Sequence, residues 1–123
     1  MGMIGLGTTL RSNSPPRHIW VVLSDPATTA GKILMVNLTS LTEDYIDDVC
    51  VLDGNDYELL IHKTTVAYSR RKRGNATGLD KAVVQGEFVE LPPLRPETLS
   101  KIIEGARRTP ELSRADQALL PSK

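Results

Sequence analysis

Short apolar and β-branched runs, each closed by turn-forming residues, fill most of the chain, and a helical pattern appears only near its end. Ile19 to Leu23 (I-W-V-V-L) is apolar at every position, which predicts a central strand, and Ser24-Asp25-Pro26 closes it. Ala27 to Gly31 reads as a loop and Lys32 to Thr39 as a second strand. That connection is too short for a helical crossover, so the pair is expected to be antiparallel. Val49 to Leu52, Thr64 to Ser69 and Phe88 to Leu91 read as further short strands. Thr42 with Glu43 and Asp44 resembles a helix start. Tyr57 to His62 and Leu79 to Val84 fit a helical turn or a strand equally, and Arg70 to Asn75 reads as a charged loop. Beyond Pro96, the positions Leu99, Ile102, Ile103 and Ala106 place an apolar stripe on one helix face. Pro96 and Glu97 suit the first turn, Arg107 and Arg108 the last, and Ser113 can cap a second short helix reaching Leu120.

These elements predict a mainly β fold with α: five or so antiparallel strands in a small, strongly curved sheet or partly open barrel, with the C-terminal helices packed on it. Residues 1–16, rich in Gly, Ser, Thr and Pro, read as a flexible arm or at most an edge strand near Thr8–Arg11, ahead of a single domain over 17–123. The total of 123 residues fits one domain and not two.

Composition narrows the function. Fifteen Lys and Arg balance fifteen Asp and Glu, which excludes a globally basic nucleic-acid coat protein. One cysteine, Cys50, excludes a disulfide framework and a Cys-rich zinc site; inside an apolar strand it reads as a small buried hydrophobe. The acids show no metal-ligand spacing, and no phosphate-binding glycine loop or serine-hydrolase elbow occurs, so neither metal nor cofactor is expected. No apolar run nears the roughly 20 residues of a membrane span, and no secretory signal is evident, so a cytoplasmic, soluble protein is expected. Charge is segregated within the neutral total. Glu43 to Glu58 carries seven acids and no base, whereas Lys63 to Lys81 carries six bases and one acid. Such a field suits a polyanion at one pole, although ordinary solvated loops give the same pattern.

The chain has two histidines, His18 just before the first strong strand and His62 just before Lys63-Thr64-Thr65. Imidazole can act as base and acid near neutral pH, so two of them flanking a phosphodiester suffice for RNA cleavage without a metal. One takes the ribose 2′-OH proton and the other protonates the leaving 5′-oxygen, while a cation stabilises the phosphorane. Each histidine could equally be a surface or capping residue. Thr39 and Ser40 end the second strand with two hydroxyls, fit either to hold phosphate and a 2′-OH or simply to turn the chain. The run Arg70 to Arg73 is the best phosphate contact, and Tyr68, two residues before Arg70, would share its face if the strand continues.

The segments H-I-W-V-V-L-S-D-P (18–26), I-L-M-V-N-L-T-S (33–40), C-V-L-D-G-N-D (50–56) and I-H-K-T-T-V-A-Y (61–68), with L-S-K-I-I-E-G-A-R (99–107), resemble the PemK/MazF-like toxin superfamily, in a shorter PemK-like branch. The resemblance implies an SH3-like antiparallel β-barrel, often dimeric, that works as the toxin of a toxin–antitoxin pair by metal-independent cleavage of single-stranded RNA. The family pattern R-P-x-V-V-L-S is matched at Val21-Val22-Leu23-Ser24, with His18 at the Arg position, Arg17 beside it and Ile19 in place of Pro. Its strand-terminal Thr-Ser is matched by Thr39-Ser40, while its first strand has no counterpart in 1–16. The leading expectation is an endoribonuclease with His18, Thr39 and His62 as catalytic residues. Arg17, Ser40, Lys63, Arg70 and Arg71 would bind phosphate or ribose, and Tyr68 a base; a cognate antitoxin and a second copy are the expected partners. The alternatives are a non-catalytic SH3-like module that binds nucleic acid or protein, and a regulatory subunit whose acidic 43–58 segment docks a basic partner.

Overall fold

The computed structural model describes residues 4–42 and 47–122. Six strands form one antiparallel sheet: β1 (Thr9–Ser12), β2 (Ile19–Val22), β3 (Lys32–Ser40), β4 (Val51–Leu52), β5 (Thr64–Asn75) and β6 (Phe88–Glu90). Three helices accompany it: α1 (Ala76–Val84), α2 (Pro96–Arg108) and α3 (Arg114–Gln117). The strand order is β4-β5-β3-β2-β1-β6. Hydrogen bonding therefore ends at β4 and β6, and among the described residues the expected barrel is an open sheet. The possible helix start at Thr42 runs into 43–46, outside the described residues.

Alternation along the central strands sends side chains to two cores, one on each face. Leu34, Val36 and Leu38 of β3 join Val21, Val66 and Tyr68 beneath Ile102, Ile103 and Ala106 of α2. Ile33 and Met35 join Leu10, Trp20, Val22 and Leu79 of α1 on the other face. This explains why β2 is apolar throughout. The stripe expected on α2 lies on the sheet, as its periodicity requires, and Ser113 caps α3 by accepting from the Asp116 N–H in a capping box. Cys50 is buried in the α2-side core, where desolvation pushes its thiol up.

Three expectations change. The N-terminal arm is in fact built into the sheet: β1 pairs with both β2 and β6, Leu10 is fully buried, and the Gly7 N–H donates to the Val22 carbonyl at 2.8 Å. Arg70 to Asn75 continues β5 instead of forming a loop, and the segment after it is α1, capped by the Asn75 side chain. The pairing of β5 with β3 also slips. Ala67 faces Asn37 and Lys72 faces Met35, so residues 68–71 span the interval that Val36 alone spans on β3. This bulge decides where the basic run points.

Candidate active site

The first residues of β2, the last of β3 and the first of β5 meet at one end of the sheet. Ile19 pairs with Leu38, Thr39 with Thr65, and Ser40 with Thr64. The Leu41 N–H donates to the Lys63 carbonyl at 3.0 Å and holds the two chain segments together beyond the strands. His18, one residue before β2, is thereby brought to Thr39, one residue after the Ile19–Leu38 pair. The turns preceding β5 fold over this end, and the Thr64 hydroxyl donates to the His62 carbonyl at 3.1 Å.

Together these segments enclose a cavity of about 250 Å³. Its polar lining is Arg17, His18, Thr39, Ser40, His62 and Thr64, and its apolar lining is Ile19, Leu38, Leu59, Leu60 and Ile61. Five of the nine residues singled out from sequence share this one cavity, and both histidines of the chain are among them. Clefts of about 440 Å³ beside α2 and 500 Å³ beside α3 are larger, but neither contains an imidazole.

His18 is partly buried, and desolvation first, then the nearby Arg70 charge, lowers its pKa from the ordinary imidazole value. Both causes disfavour the imidazolium. Near neutral pH His18 is therefore a neutral imidazole, the form that accepts a proton. Thr39 is partly buried, while Ser40, Arg17 and His62 are exposed at the cavity. Lys63 is exposed at the same sheet end but does not line the cavity.

The basic run divides. Arg70, carried on the β5 bulge, acts on His18. Arg71 donates through Nε to Asp116 Oδ2 at 2.9 Å, and Arg73 lies 3.4 Å from Oδ1 of the same carboxylate. Asp116 is fully buried; burial alone would raise its pKa, but the Ser113 hydrogen bonds and these two arginines pull it down. The Lys72 ammonium sits over the Trp20 ring, 5.2 Å from its centre. Arg71 is thus a tie between β5 and α3, and it does not line the histidine cavity.

Tyr68 is corrected. It is fully buried, and its hydroxyl donates to the Ile102 carbonyl of α2 at 2.7 Å, so no base can reach it. Desolvation raises its pKa and keeps the phenol protonated. What the sequence reading missed at the site is the apolar wall Leu59–Ile61 and the Thr64 hydroxyl. A three-residue aliphatic run directly before His62 was the available signal, but it reads equally as a core strand.

No family model and no curated protein matches the chain. Among solved structures it is similar to an endoribonuclease in complex with its cognate antitoxin, from mycobacterial species. The two share 15% identity with a TM-score of 0.57, and the match covers 100% of both chains. At that identity the likeness is one of fold.

Proposed function

We propose that this protein is the toxin of a toxin–antitoxin pair and cleaves single-stranded RNA through the ribose 2′-OH without a metal ion. The observation that carries the reading is the gathering of both histidines with Thr39 and Ser40 around one cavity at the strand ends. The open antiparallel sheet and its helices are read as the SH3-like framework of the PemK/MazF-like superfamily. The solved endoribonuclease of like fold, itself bound to its antitoxin, supports that reading. The cognate antitoxin and a second copy of the chain are the proposed partners, and the cytoplasm the proposed location.

In the proposed reaction His18, neutral because of its burial and Arg70, takes the proton from the 2′-OH. The 2′-oxygen attacks phosphorus, and the bond from phosphorus to the 5′-oxygen breaks. His62 donates a proton to that leaving oxygen. The Thr39 and Ser40 hydroxyls orient the ribose and a phosphate oxygen, and Arg17, Lys63 and Arg70 balance the charge of the phosphorane. The products are a 2′,3′-cyclic phosphate and a 5′-hydroxyl.

Purified protein is incubated with a long single-stranded RNA in EDTA beside the His18→Ala and His62→Ala variants, and the product ends are mapped. The expected result is cyclic-phosphate ends from the wild type and a loss of at least about a hundredfold in each variant, the typical worth of a positioned acid or base. Intact RNA after incubation with folded wild type, or full activity in either variant, overturns the assignment.

A further inference from the structure

The loop that carries His62 also holds two aliphatic side chains out in water. Leu59 is 43% exposed and Ile61 86% exposed, and both line the cavity that contains His18 and Thr39. One exposed aliphatic residue is ordinary. Two on one short loop, facing the same cavity as a cluster of polar groups, match the anatomy of a small-ligand site, an apolar wall opposite a few convergent polar atoms. The polar groups account for a phosphate and a ribose and leave the base without a contact. Among the described residues no aromatic side chain lines the cavity, and Trp20, Tyr57 and Tyr68 are each buried. We propose that Leu59 and Ile61 form a base-holding wall that packs against the face of the nucleotide next to the scissile phosphate of single-stranded RNA.

The inference rests on the ribonuclease reading and adds the subsite that reading lacks. An aliphatic wall offers no side-chain donor or acceptor, so it holds any base through its apolar face. A second protein copy fits the ridge less well. Two side chains supply a small part of the roughly 800 Å² per partner that a stable interface buries.

The test uses the full chain, methyl-labelled, titrated with a short 2′-O-methyl RNA that cannot be cleaved through its 2′-oxygen. The Leu59 and Ile61 methyl signals should move and saturate together with the His18 and His62 ring signals. In cleavage of the corresponding RNA, the doubly substituted Leu59→Ala/Ile61→Ala chain should show KM raised about tenfold, with kcat within about twofold of wild type. An oligomer lacking the base beside the scissile phosphate should bind the wild type as weakly as the intact oligomer binds the double variant, and the variant should lose nothing further. Still methyl signals while the histidine signals move, or additive losses from the missing base and the missing side chains, overturn the wall and leave the ribonuclease reading in place. Saturable movement of the methyls by an RNA whose ribo form is never cleaved keeps the wall and removes the ribonuclease reading. Methyl shifts that follow protein concentration without RNA assign the ridge to a second copy, and folded protein that binds no RNA has no such wall; both results overturn the proposal.

Discussion

His18 is held neutral by its surroundings, and that has a kinetic consequence. Burial and the Arg70 charge both lower its pKa, so the base form survives below the ordinary imidazole range and the acidic limb of kcat/KM against pH should lie below about 6.5. Arg70→Gln removes one of the two causes, so the limb should move toward higher pH; an unmoved limb would break the link between Arg70 and His18. Stability follows the same sign. The unfolded chain protonates His18 first, so this residue's contribution is in place above about 6.5 and is lost as pH falls through the lower folded value. Tyr68 tests the opposite kind of residue. Tyr68→Phe deletes the hydrogen bond to the Ile102 carbonyl and should cost about 1 kcal/mol in denaturant unfolding, with KM for RNA unchanged. A raised KM with unchanged stability would restore Tyr68 to the base-contacting role. The sequence made the two histidines and Thr39-Ser40 readable, because strand ends are visible in composition. Tyr68 was misread because sharing a face with Arg70 assumes an unbroken strand, and the slip between Ala67 and Lys72 breaks it. That slip leaves no mark in hydrophobic periodicity.

Helix α2 packs tightly over Tyr68 and Cys50 at Gly105, and the helix stripe alone could not reveal that. A Cβ there would collide with the Tyr68 hydroxyl oxygen and lie 3.1 Å from Cys50 Cβ. Gly105→Ala should therefore destabilise the protein by about 1–3 kcal/mol despite the better helix propensity of alanine. Adding Tyr68→Phe, which removes the colliding oxygen, should recover part of that loss. A double variant no more stable than Gly105→Ala would place the strain elsewhere. The remaining elements differ in how far they announced themselves. β2, β3 and α2 are long or uniformly apolar and were readable at once. β1 was legible only as a possible edge strand near Thr8–Arg11, because four residues with a single buried aliphatic, Leu10, give no alternation; the backbone pairing with both β2 and β6 places it inside the sheet. β5 was read as half its length, since its second half is charged. Those charges are tolerated because Asp116 of α3 accepts Arg71 and because Lys72 rests on Trp20.

Across the whole molecule, net charge is zero while the basic segment of the sequence holds six cations. A count from sequence would assign most of them to RNA. The structure engages Arg71, Lys72 and Arg73 with Asp116 and Trp20 and places Lys81 on α1, while Lys63 and Arg70 lie near the histidine cavity, joined there by Arg17 from outside the segment. The acidic segment is partly engaged too, since Asp56 pairs with Lys101 of α2 at 2.8 Å. The salt dependence of RNA binding separates these views. Each neutralised phosphate of a single strand contributes about −0.7 to the slope of log K against log salt, so three cations give a slope near −2 and all six near −4. Binding of an uncleavable single strand by the full chain, measured between low and physiological salt, should give the shallower slope. Arg17→Ala should reduce it by about 0.7, the share of one phosphate contact. Arg73→Ala should leave it unchanged, because the Arg73 charge faces a buried carboxylate of the fold. A slope near −4, or one that falls with Arg73→Ala, would mean that RNA pulls the basic strand away from α3. The track would then run along β5 as well as into the cavity at its end.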